Sequence, residues 1–140
     1  MRNLWMMLWL LGSASVWADD TEIAVVANGS GEYANVTRKQ VVDIYMGKLT
    51  VLNNGTFPIP LDYADNPPIR ERFYKLLTGK SQAQINAYWA RMSFTGQTNP
   101  ARLLSNEQIM LRAVSKNADA IGYVEKSNVP TSLHVVLTLE

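Results

Sequence analysis

Val42-Asp43-Ile44-Tyr45-Met46-Gly47-Lys48 reads as the end of a helix. With Val41, the residues Val42, Ile44 and Tyr45 make an apolar stripe at helical spacing, and Gly47 stands where a left-handed C-terminal cap belongs. Lys48 follows close to the negative helix end. Upstream, Thr37 with Gln40 three residues later is a capping box, so the helix starts there. Before it, Ile23-Ala24-Val25-Val26-Ala27 is continuously apolar and β-branched, the pattern of a buried strand, and Asn28-Gly29-Ser30-Gly31 ends it with turn chemistry.

Downstream, Asn53-Asn54-Gly55 is a turn, and Phe57-Pro58-Ile59-Pro60-Leu61 alternates apolar side chains with proline, which places this strand at a sheet edge or makes it a strand start. Asn66 is expected to cap a helix whose first positions are Pro67 and Pro68, with Ile69, Phe73, Leu76 and Leu77 facing inward and Gly79 closing it. Ser81 with Gln84 opens a further helix burying Ile85, Tyr88, Trp89 and Met92. Phe94 to Pro100 is loop-like. Ser105 with Gln108 opens a helix through Met110, Leu111, Ala113 and Val114 that ends at Asn117. The last strands are Ala120 to Val124, in which Gly122 is expected to admit a neighbouring backbone, and Leu133 to Leu137. The predicted order is β-α-β-α-α-α-β-β, an α/β fold whose helices pack on the faces of a sheet with crossover connections.

The N-terminus carries Arg2 and then the apolar run Leu4 to Leu11, broken by Gly12-Ser13-Ala14-Ser15. A spanning helix needs roughly 20 apolar residues, so this run suits a signal peptide better than an anchor. Val16-Trp17-Ala18 puts small residues where a signal peptidase reads, so residues 1–18 are expected to be cleaved, leaving one periplasmic domain, 19–140, with no membrane anchor. The alternative is an uncleaved anchor over Leu4 to Leu11. With no cysteine in the chain, a cysteine-linked lipoprotein anchor, disulfides and thiolate metal sites are excluded. Without Arg2 the remaining Lys and Arg match the twelve Asp and Glu, and they are dispersed, so neither a nucleic-acid stripe nor an anionic-membrane patch is indicated.

Chemistry for catalysis is sparse. One histidine, His134, sits in a strand-like tail, and the scattered carboxylates pair with no nucleophile, so no catalytic residue, metal site or cofactor is expected. Asp62, Asp65 and Glu71 match no metal loop and read as the solvated surround of a helix start. Gly29-Ser30-Gly31 after a strand lacks the further glycines and lysine of a phosphate loop and reads as an ordinary turn.

Val42 to Lys48 and Asp119-Ala120-Ile121-Gly122-Tyr123-Val124, in this order, resemble two motifs of the substrate-binding proteins of phosphate ABC transporters. Ile59-Pro60-Leu61-Asp62 leading into Arg70-Glu71-Arg72-Phe73 resembles the strand, oxyanion loop and helix of that family, and Trp89 to Phe94 its next helix and loop. The resemblance runs from about Ile23 to Glu125. It implies one lobe of a periplasmic-binding-protein-like clamshell, a small mixed sheet flanked by helices, with the partner lobe absent.

It further implies binding of phosphate or another small oxyanion near the helix start, at Asp65, Asn66, Ile69 and Arg70, with Arg70 alternatively a surface or carboxylate-paired arginine. The loop departs from the family pattern, however: Pro67 and Pro68 have no N–H to offer an anion, and Asp62 and Asp65 add negative charge. Two functions follow, a periplasmic solute-binding role in transport or an interaction module on the same scaffold that has lost phosphate. The corresponding partners are a small oxyanion, an envelope protein or an ABC permease. Tyr45, Phe73, Trp89, Phe94 and Tyr123 read as core or core-edge aromatics.

Overall fold

The computed structural model describes residues 22–96 and 100–140. The signal-peptide reading of 1–18, and Gln97 to Asn99 of the expected loop, lie outside the described residues. The strands are β1 (Ile23–Asn28), β2 (Ile59–Tyr63), β3 (Arg102–Leu104), β4 (Ala120–Glu125) and β5 (Leu133–Leu139). The helices are α1 (Arg38–Tyr45), α2 (Pro68–Thr78), α3 (Gln82–Phe94) and α4 (Glu107–Lys116). The five strands form one mixed sheet in the order β3-β2-β4-β1-β5. β2 runs parallel to β3 and β4, while β1 is antiparallel to β4 and β5.

Helix ends follow the sequence closely. Thr37 and Ser81 each complete a capping box with Gln40 and Gln84. At the end of α1, the N–H of Lys48 donates to Asp43 O at 2.8 Å and that of Gly47 to Ile44 O at 3.1 Å, the double bond of a Schellman ending, with Gly47 at φ 71°. Gly79 closes α2 at φ 75°. Two caps differ from expectation. Asn106, not Ser105, caps α4, accepting from Ile109 N at 2.9 Å. Pro67, not Asn66, is the residue before α2, and no side chain caps that helix.

β2 lies inside the sheet, yet its prolines sit at its start. Ile59 N–H donates to Asp119 O at 2.9 Å toward β4, so alternation points Pro60 N to the other side, where β3 begins only opposite Leu61. β3 was not expected. It has three residues, two of them exposed, which leaves no alternation to read. Pairing of β2 with β4 ends after Ile59↔Ala120 and Pro60↔Ile121. Beyond it phenols serve the freed carbonyls: Tyr45 OH lies 2.9 Å from Leu61 O and 3.1 Å from Ile121 O, and Tyr63 OH donates to Tyr123 O at 2.8 Å.

Successive residues of β4 face opposite ways, and both faces are covered. Tyr123 stacks on Phe73 of α2, ring centroids 3.6 Å apart and planes 2° apart. Gly122 meets α4, where an added Cβ would lie 2.5 Å from Met110 Sδ and 3.1 Å from Val114 Cγ2. The close neighbour is therefore a pair of helix side chains rather than a backbone. Gly122→Ala is expected to destabilise the fold by about 1–3 kcal/mol in urea unfolding, because Met110 must leave its place.

The third helix departs most from expectation. Ile85 is fully buried, and Tyr88 OH ties α3 to the end of α1 through Met46 O at 2.7 Å. Trp89 and Met92 are half-buried, and Phe94 is 94% exposed, not a core-edge aromatic. Ile85 is the one fully buried residue of α3; Tyr88 and Trp89 pack against the core edge, and the last turn, ending at Phe94, is mostly exposed.

Candidate functional site

The helix-start region expected to hold an oxyanion is built around a buried ion pair. Asp62, the fourth residue of β2, is 1% exposed, and Arg70 in the first turn of α2 is 7% exposed. Arg70 Nε donates to Asp62 Oδ2 at 3.2 Å, and Tyr74 OH, one turn further along α2, donates to the same oxygen at 2.6 Å. Oδ1 accepts from the Tyr63 N–H at 2.8 Å and from the Tyr123 hydroxyl. Four donors thus converge on one carboxylate, which is what a buried charge requires.

Arg70 is held on its other sides too. Its Nη1 donates to Asn66 Oδ1 at 3.0 Å and to Asn86 Oδ1 of α3 at 3.2 Å, and its guanidinium carbon lies 5.0 Å from the Tyr74 ring centroid. Burial, and next the Asp62 charge, push the phenols of Tyr74 and Tyr123 well above the usual tyrosine range. Tyr45 is raised by the same two causes. The phenols therefore stay neutral at physiological pH, and those of Tyr74 and Tyr123 remain donors to Asp62.

Of the residues expected to bind a ligand, the structure brings Asn66 and Arg70 together. Asp65 and Asn66 are exposed and both adopt left-handed backbone, φ 63° and 50°. Asn tolerates this conformation, and Asn66 is fixed there by its bond to Arg70. Ile69 is half-buried and touches the core. The amide supply is thin, since Pro67 and Pro68 have no N–H and the Arg70 N–H bonds to Pro67 O at 2.9 Å.

Asp62, Asp65 and Glu71 do not form a cluster. Asp62 is internal while the other two are exposed, and among the described residues no group of three metal-ligating side chains converges. Arg72 engages Glu125 at 3.0 Å. Gly29-Ser30-Gly31 forms a turn in which Ser30 N–H donates to Asn28 Oδ1 at 3.1 Å. His134 lies in β5 opposite Ala27. Asn86, Tyr74 and the acceptor role of Asp62 were not anticipated. The available signal was an acidic residue inside an apolar strand followed by Arg70 and Tyr74, four apart and so on one helix face.

Against solved structures, the chain superposes on an ABC-type phosphate transport receptor from Vibrio cholerae with TM-score 0.62 and 20% identity, over 85% of this chain and 50% of that one. A putative phosphate ABC transporter substrate-binding protein with bound phosphate from Clostridium perfringens gives TM-score 0.64 and 22% identity, over 81% and 43%. The fold is that of a binding-protein lobe. The chain spans half or less of the length of these receptors. No protein-family model matches the sequence, and no curated protein matches it. The lobe has a mixed five-stranded sheet with four helices, and no helix among its described residues is long and apolar enough to cross a membrane.

Proposed function

We propose that this chain is an exported periplasmic module, residues 19–140 after loss of 1–18, that uses a binding-protein lobe to dock onto another envelope protein and does not hold free phosphate. The carrying observation is the Asp62–Arg70 pair. A receptor's arginine must offer its charge to the ligand, whereas here a buried carboxylate neutralises Arg70 and its Nη1 is engaged by Asn66 and Asn86. Pro67 and Pro68 remove the amides that a helix start would present, and Asp65 adds charge of the wrong sign. The similar solved structures are a transport receptor and a substrate-binding protein, which supports a binding role over catalysis, and the N-terminal Arg2 with the apolar run Leu4 to Leu11 supports export.

A second reading keeps a small oxyanion. It is favoured by the meeting of Asn66 with Arg70 at the same helix start and by the names of the two similar receptors. Titration calorimetry of the chain with phosphate and with sulfate at low ionic strength separates the two. No saturable heat is expected with either. A one-to-one isotherm with phosphate overturns the docking reading in favour of the second.

A further inference from the structure

The helix α4 has two working faces. Met110 and Val114 are fully buried against Gly122. Ile109, Arg112, Ala113 and Lys116 form a second stripe at i, i+3, i+4 and i+7, about 10 Å long at the helical rise, of which Ala113 touches the edge of the core and the other three are exposed. Across from it stand Arg102 and Leu104 of β3, and Leu61 lies between as the floor. Together these residues line an open groove of about 200 Å³.

The groove has apolar walls, from Leu61, Leu104, Ile109 and Ala113, and a rim of three cations, Arg102, Arg112 and Lys116. All three cations are exposed, and among the described residues none has an ion pair. β3 is the edge of the sheet, with β2 on one side and no strand among the described residues on the other. Leu103, between the two groove residues of β3, is 59% exposed. An unpaired strand edge beside an apolar slot rimmed by one sign of charge is suited to an extended chain carrying alternating apolar and acidic side chains.

We infer that the groove between β3 and α4 docks an extended acidic segment of a partner protein, with its apolar side chains over Leu61 and Ala113 and its carboxylates on Arg102, Arg112 and Lys116. Charge complementarity decides the occupant. Uniform cations around an apolar floor select carboxylates on an apolar chain and reject a basic one. The groove is on the α4 side of the sheet and the Asp62–Arg70 pair is on the α2 side, so the two can be tested apart. The inference rests on the docking reading and names the surface and the partner's chemistry.

The test is fluorescence polarisation with a labelled peptide alternating Leu with Asp or Glu, beside a peptide with Lys at the acidic positions and one with Ser for Leu. The acidic apolar peptide is expected to bind, more weakly as salt rises, and to lose about tenfold in affinity to the variant R112E/K116E. The Lys and Ser peptides are expected not to bind. Both substitutions are at exposed positions, and an unchanged melting temperature confirms folding. No binding of the acidic peptide, or binding that R112E/K116E leaves intact, overturns the groove. So does equal, variant-sensitive binding to phosphatidylglycerol vesicles, which would make it a membrane contact. A flat phosphate titration alongside a failed peptide test removes the groove alone; a saturable phosphate titration removes the docking reading itself.

Discussion

Asp62→Ala is expected to destabilise the fold by about 3–5 kcal/mol, read as a lower urea midpoint at unchanged slope. The cost has three sources at one position. Arg70, 7% exposed, loses its counter-charge and keeps only neutral partners, the amide oxygens of Asn66 and Asn86 and the Tyr74 ring. The hydroxyls of Tyr74 and Tyr123 lose their acceptor in a site with no exposure to water. The Tyr63 N–H loses its partner as well. Asp62→Asn keeps the shape and one acceptor oxygen and is expected to cost less than Asp62→Ala, which separates loss of charge from loss of volume.

Phe73→Ala is expected to cost a comparable amount, about 3–5 kcal/mol. Phe73 is fully buried between the sheet and α1: it stacks on Tyr123 at 3.6 Å and meets the Tyr45 ring edge-on at 4.8 Å and the Tyr74 ring at 5.0 Å. Removing it leaves a cavity behind Tyr123 and Tyr74, both donors to Asp62, so the loss of packing also loosens the polar site. Phe73→Leu fills part of the space and is expected to cost markedly less. Equilibrium unfolding of the two variants checks the order, and a near-ultraviolet circular dichroism change in Phe73→Ala checks the coupling to the tyrosines.

The fold was legible where local chemistry and burial agree. The box at Thr37, the box at Ser81 and the left-handed glycines Gly47 and Gly79 each mark a helix end with a mechanism, and they stand where the sequence places them. Buried strands β1 and β4 are unbroken apolar runs and were equally clear. β3 was not legible, because a three-residue edge strand that exposes Arg102 and Leu103 carries no pattern apart from its neighbour. Phe94 departs from its expected core-edge place for a related reason: an aromatic at helical spacing points to a core only while the helix stays on the body, and α3 does so through Ile85, Tyr88 and Trp89 but not at its last turn.

The candidate site shows the same division. Pro67, Pro68 and Asp65 are legible in sequence as a helix start with few amides and added negative charge, and the structure places them before and at the first turn of α2. The internal pairing of Asp62 with Arg70 depends on β2 and α2 meeting in space and on Tyr123 arriving from β4, so the local signal, an acidic residue in an apolar strand ahead of Arg70 and Tyr74, marks the partners but not their burial. Its residues are separated in sequence but share one buried pocket, and the carboxylate's setting became visible only with the register of the sheet.

The most direct measurement of the central claim, that the Arg70 charge is engaged inside the protein, is a double-mutant cycle on Asp62 and Arg70. Unfolding free energies of Asp62→Ala, Arg70→Met and the double variant give the coupling between the two side chains. The expected result is a double variant less damaged than the sum of the singles, by about 1–3 kcal/mol. Additivity within about 0.5 kcal/mol would contradict the claim and return Arg70 to the pool of residues available to a ligand.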